Sequence, residues 1–184
     1  MVIFPAVRRS RVGPGGLGNP VHVTTSIARF MQDLELAWDA HREALLVRGD
    51  LAAALAALAA EPSVTHLPAR TGAAGRAAVE RFYAERFLPH LPADLALSRI
   101  SRTVDRWRLV DETTVSFTHD RELPWLLPGV APTFRRAEVL AIAVVGFERT
   151  RIRTQRVLWD HATLAAQLGI DPAVTGPAAS NPVR

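Results

Sequence analysis

The first part of the chain alternates apolar and polar positions with the period of an α-helix. From Thr24 the pattern is helical, and it stops at Gly49. The hydroxyl groups of Thr24, Thr25 or Ser26 are suited to cap this helix. Its apolar positions are Ile27, Phe30, Met31, Leu34, Trp38 and Leu45.

Two further helices and a short strand are predicted before residue 92. Asp50 is placed to cap a second, Ala-rich helix that runs to about Ala60, where Pro62 ends it. A strand candidate follows at Ser63–Leu67. The third helix comes after a loop marked by Gly72 and Gly75 and ends at Pro89; its apolar positions include Val79, Phe82, Tyr83 and Phe87.

After Pro92 the period changes from that of a helix to the two-residue alternation of a strand. The pattern predicts four long strands at Leu95–Val104, Trp107–His119, Glu138–Phe147 and Arg151–His161. Short connections inside the first and last pairs favour antiparallel hairpins. Three helices followed by such a sheet indicate an α+β fold.

The middle two strands are joined by a long apolar loop, Phe117–Val139. Three prolines stiffen it, and its apolar side chains are Leu123, Trp125, Leu126, Leu127, Val130 and Phe134. A connection this apolar has to bury itself, either over a cavity or against a partner. The loop therefore marks the region where a functional site is expected.

Composition excludes several kinds of chemistry. With 184 residues, the chain is expected to form one globular domain. It contains neither Cys nor Lys, which excludes disulfides, thiolate nucleophiles, cysteine metal sites and Schiff-base catalysis. The six His show no metal-ligand spacing, and no phosphate-binding or dinucleotide fingerprint is present. We therefore expect no metal and no cofactor.

Charge and hydropathy argue against nucleic-acid and membrane partners. Without the Arg residues of the two ends, Arg8, Arg9, Arg11 and Arg184, the remaining 18 Arg equal the 18 acidic residues in number. A neutral domain gives little support for nucleic-acid binding. No apolar run reaches the length of a membrane span, and no secretory signal is evident, so we expect a cytoplasmic protein. Residues 1–22 are expected to be a flexible leader, 23–172 the folded domain and 173–184 a flexible tail.

Four segments carry a resemblance to a known family: SRTV (Ser101–Val104), VDETTVSFTH (Val110–His119), WLLPGVAPT (Trp125–Thr133) and LWDHATLAAQLG (Leu158–Gly169). With the order of elements, they resemble the nuclear transport factor 2-like fold and, within it, the SnoaL-like polyketide cyclase superfamily. The resemblance covers roughly residues 26–172. It implies a curved antiparallel sheet that forms a cone-shaped barrel with the N-terminal helices and encloses a small-molecule pocket, and a homodimer is expected.

Enzymes of the family that the chain resembles transfer protons. A carboxylate in the pocket acts as the acid or base, often assisted by His or Tyr. Asp160 best matches the Asp that serves as acid or base on a late strand, and Trp159 precedes it. From spacing alone, Asp160 is better explained as the cap of the following turn, 162–168, and the resemblance brings the catalytic role level with it. The chain departs from the family pattern nearby at Gln155, where Glu is expected.

Two histidines are candidates to assist the carboxylate. His119 lies on the apolar alternation of Val115 and Phe117 and borders the long loop, so it is a pocket acid or base, or else a core residue at the end of a strand. Asp111 shares that face but lies about 26 Å away along the strand, too far for a direct pair. His66 leads into the loop before the third helix, where the resemblance places the mouth of the cone; a structural role is its alternative.

The remaining candidates would bind substrate. Trp125 is the residue expected to cover the pocket, with an anchor at a dimer interface as its alternative. Arg102 would hold an anionic group or pair with an acid. Tyr83 and Trp159 complete the set, although the helical pattern favours a core role for Tyr83.

The favoured hypothesis is an enzyme without a cofactor. It would act on an apolar carbonyl compound by acid–base chemistry, as a cyclase, isomerase or dehydratase, with Asp160 and His119 as catalytic residues. The alternative is a ligand-binding or dimeric assembly module of the same fold.

Overall fold

The computed structural model describes residues 20–171, with side chains from residue 26. The helices are α1 (Pro20–Arg42), α2 (Leu51–Ala56), α3 (Arg76–Arg81) and α4 (His161–Leu168). The strands are β1 (Leu58–Leu67), β2 (Thr71–Ala74), β3 (Ala96–Val104), β4 (Arg108–Thr118), β5 (Arg136–Glu148) and β6 (Arg151–Trp159). Turns with π-helical geometry extend α1 over Glu43–Val47 and α3 over Phe82–Phe87. The predicted leader, up to residue 19, and the predicted tail lie outside the described residues.

The six strands form one open sheet in the order β2-β1-β6-β5-β4-β3. Neighbouring strands are antiparallel except β1 and β6, which run parallel. The α+β class is confirmed, and the four strands predicted after Pro92 pair antiparallel as expected; the one parallel contact in the described sheet is that of β1. The parallel pair forms because β1 joins the free edge of β6, which is almost a hundred residues away along the chain.

Two local predictions are corrected near the second helix. Residues 58–60, expected to be helical, begin β1, because the buried side chains of Leu58 and Ala59 pack into the sheet. Residues 71–74, expected to be a loop, form β2. Gly72 makes this pairing possible, since a Cβ at that position would lie 2.0 Å from the carbonyl oxygen of Val64.

The core lies between the helices and one face of the sheet. Strands β4 and β5 alternate buried and more exposed residues along most of their length, as the two-residue pattern predicts. On the inner face of β5 the central residues are Ala141 and Ala143. Because these side chains are small, space remains between the sheet and α1.

The long loop between β4 and β5 buries most of its apolar side chains within the chain itself, and Phe134, which is 74% exposed, is the exception. Leu123, Leu126 and Leu127 are fully inaccessible to solvent, and Trp125 is 2% exposed. The hydroxyl group of Thr71 donates a hydrogen bond to the backbone carbonyl of Trp125. The prediction that this loop buries itself is confirmed.

Candidate functional site

The space beside Ala141 and Ala143 is a cavity of about 90 Å³. Its wall is formed by α1, β1, the helical turn after α3, the long loop and the inner faces of β3 to β6. Most lining atoms are apolar or aromatic. The polar side chains among its lining residues are His41, Arg42, His66, Tyr83, Asp111, Thr113 and Gln155, together with the indoles of Trp38, Trp125 and Trp159.

Asp111 is the only carboxylate among the residues that line this cavity. It lies on the inner face of β4, and its side chain is buried. Oδ2 accepts hydrogen bonds from Trp38 Nε1 (2.8 Å), Arg42 (2.6 Å) and Arg102 (3.0 Å). Oδ1 accepts one bond, from Arg102 Nε at 3.0 Å. Oδ1 uses one of its two lone pairs in this bond, so it keeps acceptor capacity.

The donors around Asp111 keep it ionised. Burial alone would raise the pKa of Asp111, but the hydrogen bonds from Arg102 and Trp38 and the positive charges of Arg102 and Arg42 outweigh burial, so the pKa is lowered. Arg102 also pairs with Asp39, at 2.7 Å. Arg99 also approaches Asp39, at 3.8 Å, so three arginines share two carboxylates, and Arg42 and Arg102 are both paired with Asp111.

A second polar group crosses the cavity from the helices to β6. The Tyr83 hydroxyl donates to Gln155 Oε1 at 3.4 Å, and Gln155 Nε2 donates to His41 Nε2 at 3.0 Å. His41 Nδ1 in turn donates to the carbonyl oxygen of Ala54 at 3.0 Å. Burial lowers the pKa of His41 to about 4, so the ring is neutral and both of its nitrogens are hydrogen-bonded. His41 therefore orients Gln155, and its one N–H proton is bonded to the backbone.

His66 also lines the cavity, and aromatic rings surround it. Its Nδ1 accepts a hydrogen bond from Trp159 Nε1 at 3.2 Å. Burial lowers the pKa of His66 to about 3, which keeps the ring neutral. The ring stacks on Phe87, with centroids 5.7 Å apart. Nε2 is buried and has no hydrogen-bond partner.

Trp125 covers the same side of the cavity from the long loop. Its ring centroid lies 4.9 Å from that of Phe87, 5.3 Å from that of His66 and 5.6 Å from that of Trp159. Because it is buried by its own chain, Trp125 does not form the exposed dimer anchor that the sequence left open. Its indole Nε1 is buried and also has no partner.

Asp160 lies outside the cavity, which corrects the expectation that its carboxylate faces a pocket. It is exposed at the N-terminus of α4, where Oδ1 accepts a hydrogen bond from the backbone N–H of Thr163 at 3.1 Å. Hydrogen bonds from Thr163 lower the pKa of Asp160. The chain passes from β6 directly into α4 at this residue, and the side chain serves as the helix cap.

His119 is likewise not among the residues that line the cavity. It follows the inward alternation of β4, as predicted, but it lies beyond the end of the cavity and is enclosed by the long loop. Its Nδ1 accepts a hydrogen bond from the backbone N–H of Thr133 at 3.3 Å, and burial lowers its pKa. The structure thus brings Tyr83, His66, Trp125 and Trp159 together at the cavity. It places Asp160 and His119 elsewhere, and Arg102 behind Asp111.

Sequence reasoning missed three residues that line the cavity: His41, Gln155 and Asp111 as a member of the site. His41 shares the apolar face of α1 with Leu34, Trp38 and Leu45, and a His on such a face was an available signal. Among the described residues, no group of three or more His, Asp or Glu side chains is arranged to hold a metal ion. Between residues 20 and 171, no helix combines the length and apolarity needed to cross a membrane.

Many solved structures are similar to this chain, and the three described next are at most 22% identical to it. An NTF2-like protein of unknown function from Burkholderia pseudomallei is 22% identical, with a TM-score of 0.57 over 74% of this chain and 97% of that one. A candidate polyketide cyclase from Acidithiobacillus ferrooxidans is 15% identical, with a TM-score of 0.61 over 74% and 94%. An LEH-like epoxide hydrolase from Mycobacterium tuberculosis is 14% identical, with a TM-score of 0.56 over 75% and 90%.

These likenesses establish the fold and leave the reaction open. No family model matches the chain. No curated protein matches it either. The chain therefore has the nuclear transport factor 2-like fold that its sequence motifs resemble, and proteins of this fold carry names from several kinds of chemistry. Its function has to be argued from the cavity.

Proposed function

We propose that the chain is an enzyme that moves a proton on a small, largely apolar carbonyl compound held in the cavity. The reaction would be of the cyclase, isomerase or dehydratase kind. The observation that carries the proposal is Asp111, a buried and ionised carboxylate in the wall of a largely apolar cavity. A positioned carboxylate of this kind is a general base for a proton next to a carbonyl group.

Asp111 takes the role that the sequence assigned to Asp160. Its Oδ1 has one hydrogen-bond donor where Oδ2 has three, so Oδ1 is the oxygen with room for a substrate proton. The bonds from Trp38, Arg42 and Arg102 fix the carboxylate plane. Fixed geometry lowers the entropic part of the barrier for proton abstraction.

Exchange of protons next to a carbonyl group tests this proposal without knowledge of the natural substrate. The protein is incubated in D₂O with a panel of small cyclic ketones, and loss of the α-proton signals is followed by ¹H NMR. We expect the wild-type protein to accelerate exchange and Asp111→Asn to reduce the rate by about 100-fold or more. Asp160→Asn, which keeps a capping side chain outside the cavity, should exchange at the wild-type rate.

The assay has two results that would contradict the proposal. One is exchange by Asp111→Asn at the wild-type rate while its thermal unfolding shows a folded protein. The other is the absence of acceleration by the wild-type protein for every ketone in the panel.

The second candidate function is a ligand-binding module without chemistry. It is favoured by the lowered pKa of Asp111, since hydrogen bonds from Arg102 and Trp38 make the carboxylate a weaker base. A module of this kind would bind ketones in the cavity, seen by NMR titration, and leave their α-protons in place.

The homodimer stays a prediction. Support comes from the outer face of the sheet, where Ile100, Val110 and Leu158 are apolar and exposed. Sedimentation equilibrium of the wild-type protein and of a variant with Arg at these positions tests it.

A further inference from the structure

Two hydrogen-bond donors in the cavity wall have nothing to donate to. Among the described side chains, the buried nitrogen or oxygen atoms without a partner are His66 Nε2, His119 Nε2 and Trp125 Nε1. His66 and Trp125 both line the cavity, whereas His119 does not. Buried polar groups in folded proteins are nearly always hydrogen-bonded, so two unpaired groups in one cavity indicate that a ligand supplies their partner.

The proton positions follow from the hydrogen bonds. Trp159 Nε1 donates to His66 Nδ1, so Nδ1 is the acceptor nitrogen of the ring and Nε2 carries the hydrogen. The indole nitrogen of Trp125 is a donor in every state. Both unpaired atoms, His66 Nε2 and Trp125 Nε1, therefore carry a hydrogen, and only a hydrogen-bond acceptor can pair with them.

The two donors belong to neighbouring rings, whose centroids are 5.3 Å apart. We propose that His66 Nε2–H and Trp125 Nε1–H form an oxygen-binding subsite that receives the carbonyl oxygen of a small neutral ketone. The inference rests on the proposed function and adds to it the chemical group that the ligand presents. A donor left unpaired in an apolar cavity has an unfavourable free energy, and an acceptor that enters the cavity removes it.

The surroundings of the subsite select a neutral acceptor. The rings that pack on His66 are Phe82, Phe87, Trp125 and Trp159, and none of them carries a charge. Arg42, the cation that lines the cavity, is paired with Asp111 at 2.6 Å. An anion would therefore lose its hydration without gaining a counter-charge, and an ammonium group would meet two donors instead of acceptors. A carbonyl oxygen accepts two hydrogen bonds and carries no charge.

The size of the cavity restricts the ligand further. An apolar cavity of about 150 Å³ holds benzene. The cavity of this chain is smaller, at about 90 Å³, so it takes the carbonyl end of a ring such as cyclopentanone, or of a longer molecule. When Asp111 takes the proton from the carbon beside the carbonyl, the electron pair of the broken C–H bond moves onto the carbonyl oxygen. Two N–H donors at that oxygen would stabilise the negative charge that develops there.

A matched pair of ligands tests the subsite by NMR. Cyclopentanone carries a carbonyl oxygen, and methylenecyclopentane has the same shape with a CH₂ group in its place. We expect cyclopentanone to move the Trp125 Nε1–H and His66 Nε2–H proton signals downfield, and methylenecyclopentane to leave them without a downfield shift. The ketone should bind roughly 10- to 100-fold more tightly, because it gains two hydrogen bonds. The Trp107 indole, 68% exposed, should not respond to either compound.

Variants assign the effect to the two donors. Trp125→Phe removes the indole N–H, and His66→Asn removes Nε2–H while its amide oxygen can still accept from Trp159. Each should reduce the preference for cyclopentanone over methylenecyclopentane by about 10-fold, whereas Trp107→Phe should keep it. The preference is a ratio measured on one variant, so a change in cavity size affects both ligands and largely cancels.

Several results would overturn the subsite. They are equal affinities for the two compounds, cyclopentanone binding without a downfield shift of the two N–H signals, and binding of neither compound. None of these decides the proposed function, which fails separately if Asp111→Asn exchanges ketone protons as fast as the wild-type protein.

Discussion

Trp159 and His66 are joined by a hydrogen bond in which the indole N–H donates to Nδ1 across 3.2 Å. The parallel pairing of β1 and β6, with His66 opposite Val157, brings the two residues together. Because Trp159 donates to Nδ1, the hydrogen of the neutral His66 ring lies on Nε2. It makes His66 a donor toward the cavity.

The first prediction concerns the tautomer of His66. In ¹⁵N NMR spectra, Nδ1 should appear unprotonated and Nε2 protonated, and the ring should stay neutral on acidification to about pH 4, because burial lowers its pKa to about 3. Trp159→Phe removes the donor to Nδ1 and should allow the other tautomer to appear. A wild-type spectrum with the proton on Nδ1 would contradict this assignment.

The second prediction separates the capping role of Asp160 from a catalytic one. Asp160→Ala should reduce the free energy of unfolding by about 1 kcal/mol, because the N–H of Thr163 loses its acceptor. Asp160→Asn should be nearly neutral, since Asn caps about as well. Urea denaturation measures both. If Asp160→Ala were stable but no longer accelerated ketone proton exchange, Asp160 would have a catalytic role.

Much of the fold followed from local patterns. The alternation along β4 and β5 and the helical period of α1 depend on neighbours in sequence, so both were predictable. The parallel pairing of β1 with β6 was not, because it joins segments almost a hundred residues apart. The same tertiary contact overrides the helix propensity of residues 58–60, since the side chains of Leu58 and Ala59 become buried in the sheet.

The site was harder to predict than the fold. A carboxylate at the end of a strand and before a helix is a helix cap or a catalytic group, and Asp160 satisfied both patterns. The choice depends on the direction of one side chain. His41 and Gln155, which are 114 residues apart, meet only in the folded chain. Asp111 was placed on the correct face of β4, but its three donors come from α1 and β3.

The third prediction concerns the effect of pH on stability. Burial lowers the pKa of His41 to about 4 and that of His66 to about 3, both below the ordinary value of 6.5. Below pH 6.5 the unfolded chain binds protons at these positions and the folded chain does not, and the lowered pKa of His119 adds to the effect in the same direction. The free energy of unfolding should therefore fall on acidification, by about 1.4 kcal/mol per pH unit for each histidine.

Urea denaturation between pH 7.5 and about 4.5 measures this slope. In that window Asp111 makes no contribution, since its pKa is lowered and both states are ionised until the pH approaches about 4. In His41→Asn the free energy of unfolding should fall less steeply on acidification, by about 1.4 kcal/mol per pH unit less than in the wild-type protein. A slope identical to that of the wild-type protein would show that His41 titrates in the folded state as it does in the unfolded chain.

The fourth prediction concerns the charged network behind the cavity. Asp111→Ala should reduce the free energy of unfolding by roughly 3–5 kcal/mol, because Arg102 and the indole of Trp38 lose a buried acceptor. Glu112→Ala is the matched control, since the neighbouring Glu112 bonds only to Ser101 at the surface. Its cost should stay below about 1 kcal/mol. Equal losses for the two variants would contradict a buried network around Asp111.

The last prediction tests whether the space beside β5 is where ligands bind. Ala143→Leu adds three carbon atoms on the inner face of β5, enough to fill much of a cavity of about 90 Å³. Overpacking a filled core costs about 1–3 kcal/mol, so a smaller loss in urea denaturation would indicate that the new side chain enters existing space. Binding of cyclopentanone, followed by NMR titration, should disappear, while Val144→Leu on the opposite face should bind as the wild-type protein does. Wild-type affinity in a folded Ala143→Leu variant would place the ligand outside the cavity, and the donors of His66 and Trp125 would then have no role in binding it.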